Sequence, residues 1–199
     1  ANPYGQLRHL HVADGTKFRP RPFFALAGGK VVWESELTVA DHAQLAEFFR
    51  TLYGPTISSR NKLFDGHRSW AKARPEFRAI GYDANGVVAH MGLLRRFIKV
   101  GEVEMLVAEL GLYGVRQDSE RLGITYSMRA IASVLDKLKV PFIFGAVRPQ
   151  MRNHVERFCR SGFGTMFPAV PVRSTQPDVY PDLPPTRTDE MVVWVLPVE

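Results

Sequence analysis

Hydrophobic and polar positions change their spacing several times along the chain, and each change predicts an element. From Lys30 to Leu37, the residues Val31, Trp33, Ser35 and Leu37 alternate with Val32, Glu34 and Glu36, the two-residue period of a strand. The period then lengthens. Leu45, Phe48, Phe49 and Leu52 recur at helical spacing behind Thr38 and Asp41, which resemble a capping box with Asp in place of Glu. Gly54-Pro55 stops that helix. Residues 56–68 read as a loop, and Ser69 to Ala73 as a short helix before Pro75. Phe77 to Tyr82, Val87 to Val100 and Val103 to Val115 are strand-like runs. The first two join through Asp83-Ala84-Asn85-Gly86, whose Asn-Gly is a hairpin signal, and the last two through a tight turn at Gly101-Glu102. The third run is almost wholly apolar, as expected of a central strand buried on both faces.

An amphipathic helix follows Gly123, with Ile124, Met128, Ile131, Leu135 and Leu138 on one face. Pro141 to Val147 is a short apolar strand, so strand–helix–strand implies one parallel crossover. Gln150 to Ser161 reads as a shorter helix that turns Val155, Phe158 and Cys159 inward and stops at Gly162. Prolines crowd the segment from Pro168 to Pro197, which reads as irregular backbone closed by a strand from Met191 to Leu196. The order predicts an α/β fold: a mixed sheet with an antiparallel N-terminal meander and a central βα crossover, helices on both faces. Residues 1–29 show no sustained period and read as an irregular arm ahead of one domain over residues 30–199.

Composition narrows the function classes. The 199 residues are 45% hydrophobic and 23% charged, which is ordinary globular usage and argues against a disordered chain. No apolar run approaches the roughly 20 residues of a membrane-spanning helix. Phe23 to Ala27 is too short for the core of a signal peptide. Cys159 is the single cysteine, so no internal disulfide forms and a reducing, cytoplasmic setting is expected. The net charge of +6 fits nucleic acid, an anionic membrane surface, an acidic protein or phosphorylated ligand, or plain solubility. Its distribution is more informative. Arg148, Arg152, Arg157, Arg160 and Arg173 are opposed only by Glu156 between Val140 and Arg173, which predicts a local positive field.

The junction after the long third strand is the first place for chemistry. A buried strand runs through a short loop into a helix at Gly123, where free N–H groups and the helix dipole favour an anion. Here the sequence resembles the GNAT superfamily of N-acyltransferases, whose fourth strand leads into an Arg/Gln-x-x-Gly-x-Gly/Ala loop for the pyrophosphate of acyl-CoA. Glu120-Arg121-Leu122-Gly123-Ile124-Thr125 occupies that slot, and Asn153, Phe158 and Gly162-Phe163 resemble the fourth-helix signature. Glu120 and Thr125 depart from the loop pattern. Phe158 stands where many members place a tyrosine general acid. A narrower resemblance covers residues 31–197. The segments ADHAQLAEFFRTLYGPT (40–56), RSWAKARPEFRAIGYD (68–83), LRRFIKVG (94–101), VAELGLYGVR (107–116) and VRSTQPDVYPDLPPTR (172–187) are similar to the nodulation protein A family of rhizobia.

That resemblance implies a GNAT-like fold and transfer of a fatty acyl chain. The donor would be acyl carrier protein, and the acceptor the free amine of the terminal glucosamine in a de-N-acetylated chitin oligosaccharide, as in Nod factor synthesis. It implies no tightly bound cofactor, only acyl-phosphopantetheine on the carrier (or acyl-CoA) as co-substrate. Acyl carrier protein is acidic, which gives Arg148, Arg152, Arg157 and Arg160 a docking role. Donor contacts are expected from Leu112, Val115, Arg121, Gly123, Thr125 and Asn153, with Asn153 equally readable as a helix cap.

Acyl transfer to an amine needs a base for the amine proton and donors for the thioester oxyanion. Glu109 is the base candidate: it shares a strand face with Val107, Gly111 and Tyr113 in an apolar run, and it aligns with the fourth-strand glutamate that is the base in some GNAT enzymes. The competing reading is a glutamate paired with Arg95 or Arg96. His90 is a second candidate for base or substrate contact, against a hydrogen-bonded core histidine. Tyr113 is a candidate proton donor to the leaving thiol, and the backbone from Leu112 to Val115 a candidate oxyanion site. Trp33, Tyr53 and Trp70 are candidates for stacking on sugar rings, against ordinary packing. His9-x-His11 and the other histidines lack metal-ligand spacing, so no metal is expected. Cys159 lies five residues from His154, on another helix face, and is not read as a nucleophile. Two alternatives remain: a GNAT enzyme using acyl-CoA on another amine, and a basic binding module. Aromatic residues do not interleave with the arginine cluster as single-stranded nucleic acid would require, so no nucleic-acid partner is expected.

Overall fold

The computed structural model describes residues 29–53, 61–71, 73–119, 135–160, 162–175 and 186–198. Residues 1–28 of the arm expected over 1–29, and residues 124–134 of the expected helix, lie outside them, while Gly29 begins a strand. Strand β1 (Gly29–Trp33) is followed by a 3-10 turn, Glu34–Glu36, and helix α1 (Val39–Tyr53). The meander is β2 (Phe77–Asp83), β3 (Gly86–Val100) and β4 (Val103–Val115). Then come the helical turn α2 (Leu135–Leu138), β5 (Phe142–Val147), α3 (Arg152–Arg160), β6 (Thr165–Thr175) and β7 (Thr186–Pro197).

The described strands form one seven-stranded sheet in the order β1-β2-β3-β4-β5-β7-β6. Every neighbouring pair is antiparallel except β4 and β5, which are parallel, as the expected crossover requires. The turns obey the sequence: Gly86 and Gly101 take φ of 106° and 59°, the left-handed region that glycine enters without a Cβ penalty. The capping box at α1 also forms. Thr38 N donates to Asp41 Oδ2 at 2.8 Å, and Asp41 N donates to Thr38 Oγ1 at 3.2 Å.

Helices cover both faces. On one, Leu45, Phe48 and Phe49 of α1 pack against Val32, Ile80 and Val87. On the other, Val155 of α3 and Leu138 of α2 pack with Phe77, Met91, Leu93, Ile143, Val192 and Trp194. No described helix is long and apolar enough to cross a membrane.

Three expectations are corrected. The first strand stops at Trp33, because Glu34 turns its carboxylate inward to Arg78 while its N–H donates to the Glu76 carbonyl at 2.8 Å. Ser69 to Ala71 is not helical. Ser69 is fully buried, and its carbonyl accepts from Arg78 Nη1 at 3.0 Å. The proline-rich tail holds a full strand, β6, because β6 is the sheet edge. There Pro168 and Pro171 need no N–H for a second neighbour, and the register with β7 slips between Phe167 and Val170.

Candidate active site

Strand β4 positions the site. It pairs with β3 along its whole length, yet with β5 only at Ala108–Ile143 and Glu109–Phe144. Beyond Glu109 the two strands run on without pairing, β4 to Val115 and β5 to Val147, although β5 keeps β7 on its other side. A wedge therefore opens in the middle of the sheet, with Glu109 at its vertex. Parallel strands that part in mid-sheet leave backbone N–H and C=O groups for side chains, water or a ligand to satisfy.

A bulge bends β4 inside this wedge. Register with β3 shifts between His90 and Gly92, so that Gly92 pairs with Gly111 but His90 with Gly114. Leu112 takes φ of 51°, a left-handed conformation that costs a leucine roughly 1–2 kcal/mol. The bulge breaks the strand's alternation, and this corrects the expectation that Glu109 and Tyr113 share a face. Leu112 packs with the α1 layer, whereas Tyr113 packs with the α3 layer, where its ring lies 6.3 Å from His154. Glu109 is on the α1 face with Arg96, whose Nη1 is 2.5 Å from Glu109 Oε2. The arginine pairing is thus realised. The carboxylate stays accessible, with the side chain 28% exposed.

His90 is placed where it cannot meet a substrate. It is fully buried beneath the Phe49 ring, its Nδ1 lies 2.7 Å from the Leu112 carbonyl, and its Nε2 lies 3.1 Å from Arg78 Nη1. Burial and the nearby Arg78 charge push its pKa down to about 3, against the smaller opposing effect of the Leu112 bond. The expectation that His90 is a base or substrate contact gives way to its alternative, a hydrogen-bonded core histidine.

The aromatic candidates separate. Trp33 packs edge-on against Phe77 at 5.1 Å, within the α3-side core. Tyr53 is part of the α1 core, and its hydroxyl donates to the Tyr113 carbonyl. Burial raises its pKa to about 12. Neither ring is offered to a sugar. Trp70 differs: it is half-buried in the α1 layer, with the Arg74 guanidinium 4.6 Å from its ring centroid and Arg68 at 5.6 Å. The segment it begins runs on to Pro75, which packs over Gly92 beside Gly111.

On the α3 side, Arg148, Arg152, Arg157 and Arg160 are exposed, and Arg160 pairs with Glu156 at 3.3 Å. Asn153 is exposed in the first turn of α3 and does not cap it, because the chain enters through a 3-10 turn, Pro149–Met151, capped at Arg148. Phe158 is committed to an aromatic stack with Phe163 at 5.1 Å and Trp194 at 5.0 Å. Val115 is buried at the end of β4. Just after it, Arg116 bridges Asp83 and Asp118, and these hydrogen bonds raise its pKa. Arg121, Gly123 and Thr125 lie outside the described residues.

Sequence reasoning missed Arg78, Glu34 and the bulge. Arg78 had a signal: it occupies an inward position of an apolar strand, opposite Gly92 and two pairs from His90. A cation there needs a buried partner, and Glu34 is that partner.

Comparison with known proteins agrees with this architecture. The fold is shared with a solved acyl-CoA N-acyltransferase from Pseudomonas aeruginosa: TM-score 0.50 at 9% identity, covering 85% of this chain and 99% of that one. Sequence relatives are far nearer. The chain is 59% identical to nodulation protein A of Rhizobium leguminosarum bv. trifolii over 169 residues, 85% of this chain and 86% of that protein. It is 61% identical to nodulation protein A of Sinorhizobium terangae over 167 residues, 84% and 85% of the two chains. The family described as nodulation protein A matches residues 28–199, a span that includes every described strand. The chain belongs to the nodulation protein A family and is an N-acyltransferase.

Proposed function

We propose that the enzyme moves a fatty acyl chain from the phosphopantetheine thioester of acyl carrier protein to the free amine of the terminal glucosamine of a de-N-acetylated chitin oligosaccharide. One observation carries the reading: β4 and β5 part at Glu109, with Glu109 and Tyr113 on opposite faces of the sheet. A pantetheine arm lying in the wedge meets the unpaired edges of β4 and β5, including the backbone of Leu112 and Val115. Its thiol end then comes from the Tyr113 side, and the amine from the Glu109 side.

The transfer balances in two steps. The neutral amine attacks the thioester carbon, the C–N bond forms, and the carbonyl electron pair moves to oxygen, where β4 backbone groups stabilise it. Glu109 Oε1 takes the amine proton while Arg96 holds Oε2. The oxygen electron pair then re-forms the carbonyl as the C–S bond breaks, and the Tyr113 hydroxyl gives a proton to the leaving thiolate. Solvent takes the proton from Glu109 and returns one to Tyr113. Trp70 is the sugar platform of this reading, because the rings of Trp33 and Tyr53 are spent on packing. Arg121, Gly123, Thr125 and Asn153 contact the phosphopantetheine. Arg148, Arg152, Arg157 and Arg160 dock the acidic carrier, and their exposure beside the wedge supports that role.

Mass spectrometry of products tests it. The enzyme is given acyl carrier protein and acyl-CoA donors together with partly deacetylated chitin oligomers. An N-acylated oligomer formed faster from the carrier is expected; transfer only from CoA, or only to another amine, overturns the reading. Charge reversal at Arg152, Arg157 and Arg160 should slow carrier-dependent transfer about tenfold or more while sparing a small thioester donor.

A further inference from the structure

The α1 face contains a buried polar chain that the transfer steps above leave unused. It begins at the surface with Arg74, whose Nε lies 2.5 Å from Glu34 Oε1. Glu34 also accepts from Arg78 Nε and, at 3.1 Å, from Arg78 Nη2. Burial alone would raise the Glu34 carboxyl, but the hydrogen bonds from Arg78 and Arg74 outweigh it and hold its pKa below the usual carboxylate range. Arg78 Nη1 then reaches His90 Nε2, and His90 Nδ1 reaches the Leu112 carbonyl. Arg78 and His90 are both fully buried. A carbonyl only accepts, so Nδ1 bears the ring hydrogen, and Nε2 is the lone-pair nitrogen that accepts from Arg78. One tautomer satisfies both contacts.

The far end of this chain is the bulge. In a regular strand successive carbonyls point to opposite sides. Here the carbonyls of Leu112 and Tyr113 both turn to α1-side groups, the first to His90 and the second to the Tyr53 hydroxyl. Leu112 permits this by its φ of 51°. Each peptide is planar and trans, so the Tyr113 N–H, opposite the Leu112 carbonyl, points away from His90, whereas the Gly114 N–H faces β3, where Gly114 pairs with His90. The positive end of the Leu112–Tyr113 peptide dipole is therefore turned away from the α1 side, inside the stretch of β4 that has left β5.

We propose that Arg78 and His90 are positioning residues for acyl transfer: with Tyr53, they fix the kink at Leu112 and so aim the Leu112–Tyr113 peptide dipole at the thioester oxygen. The inference rests on the transfer reading and deepens it. Neither side chain touches substrate. The buried Arg78 charge serves to hold one tautomer of His90, and that tautomer holds the kink that a leucine would otherwise leave.

The test separates orientation from mere folding. His90→Asn keeps a short N–H at the Nδ1 position for Leu112; His90→Gln carries its amide toward Arg78 and leaves the Leu112 carbonyl without its donor. With folding checked by circular dichroism, His90→Gln should lose kcat by about 100-fold with donor KM within about threefold. His90→Asn should recover at least about tenfold of that loss. Equal kcat in the two variants, or an unchanged kcat in His90→Gln, overturns the proposal. Should neither variant fold, nitrogen NMR of the wild-type ring decides it. Hydrogen on Nδ1 and a bare Nε2 from pH 5 to 8 are expected, and hydrogen on Nε2 overturns it. A wild-type enzyme inactive on every donor would instead sink the substrate reading, while the ring tautomer still judges this one.

Discussion

On the α1 face of the sheet the fully buried side chains include Arg78, His90 and Ser69; on the α3 face they are apolar, among them Leu93, Leu138, Ile143 and Val192. Both faces hold the same strand, β4, but they do different things to it. Apolar packing is non-directional, so the α3 side sets where β4 lies. Hydrogen bonds have direction, so the α1 side sets how two of its peptides are turned. Within the strands, the left-handed residue Leu112 occurs where directional contacts converge; the other described non-glycine in that region, Lys139, lies in the turn after α2. The wedge needs both: a rigid position and a fixed orientation.

The largest expected effect lies at the vertex, where catalysis rather than packing is at stake. Glu109→Gln keeps size and one hydrogen-bond acceptor for Arg96 but removes the base. It should cut kcat by about 100- to 10,000-fold while donor binding changes little. Steady-state kinetics with a separate donor-binding assay check this, and unchanged turnover would take Glu109 out of the mechanism. Next in size is Arg78→Met, which strips the buried chain of its charge. It leaves Glu34 with only Arg74 and His90 Nε2 with no donor, and should cost about 3–5 kcal/mol in urea unfolding. The double variant with Glu34→Gln should cost less than Arg78→Met alone. A larger loss would mean that the pair is not the unit described.

The sequence shows unequal parts of this contrast. The meander is legible because a period of two, an Asn-Gly turn and a buried run are all local signals. The capping box at Thr38 is local too. The tail strand was hidden by Pro168 and Pro171, because edge position is a property of the finished sheet. The bulge was hidden for a deeper reason. Gly111 and Gly114 flank it, yet the left-handed residue is Leu112. The groups that hold it are 22 residues away at His90 and, for the next carbonyl, 60 residues away at Tyr53. Period-two alternation therefore placed Tyr113 on the wrong face. Glu109 was readable as a candidate, and its partner Arg96 as one of two arginines; the vertex of the wedge was not.

Acid should expose the α1 side before the α3 side. The His90 ring stays neutral in the native state down to about pH 3, whereas in the unfolded chain it takes up a proton near its ordinary value of about 6.5. Between those values the unfolded state binds more protons, so stability falls as pH drops. The contribution is fully present above about 6.5 and weakens the folding constant by up to about tenfold per pH unit below it. His42, also held down mainly by burial, acts with the same sign. The decisive measurement is therefore a difference: urea unfolding at pH 7 and pH 5 for the wild type and for His90→Gln. The variant should show the shallower pH dependence, and equal slopes would remove His90 as its source.

The smallest effect belongs to the apolar face and is the sharpest check on the contrast. Ile143 is fully buried in β5 and pairs with Ala108, one position before the vertex. Ile143→Val removes one methyl group from a tightly packed site and should cost about 0.5–1.5 kcal/mol of stability. The remaining side chain still fixes where β5 starts, and no hydrogen bond to the bulge is touched. At a temperature where the variant is fully folded, kcat and donor KM should therefore match the wild type within about twofold. A kcat loss comparable to that of His90→Gln would mean that volume, and not direction, governs the peptides at Leu112; the two faces would then be doing the same work.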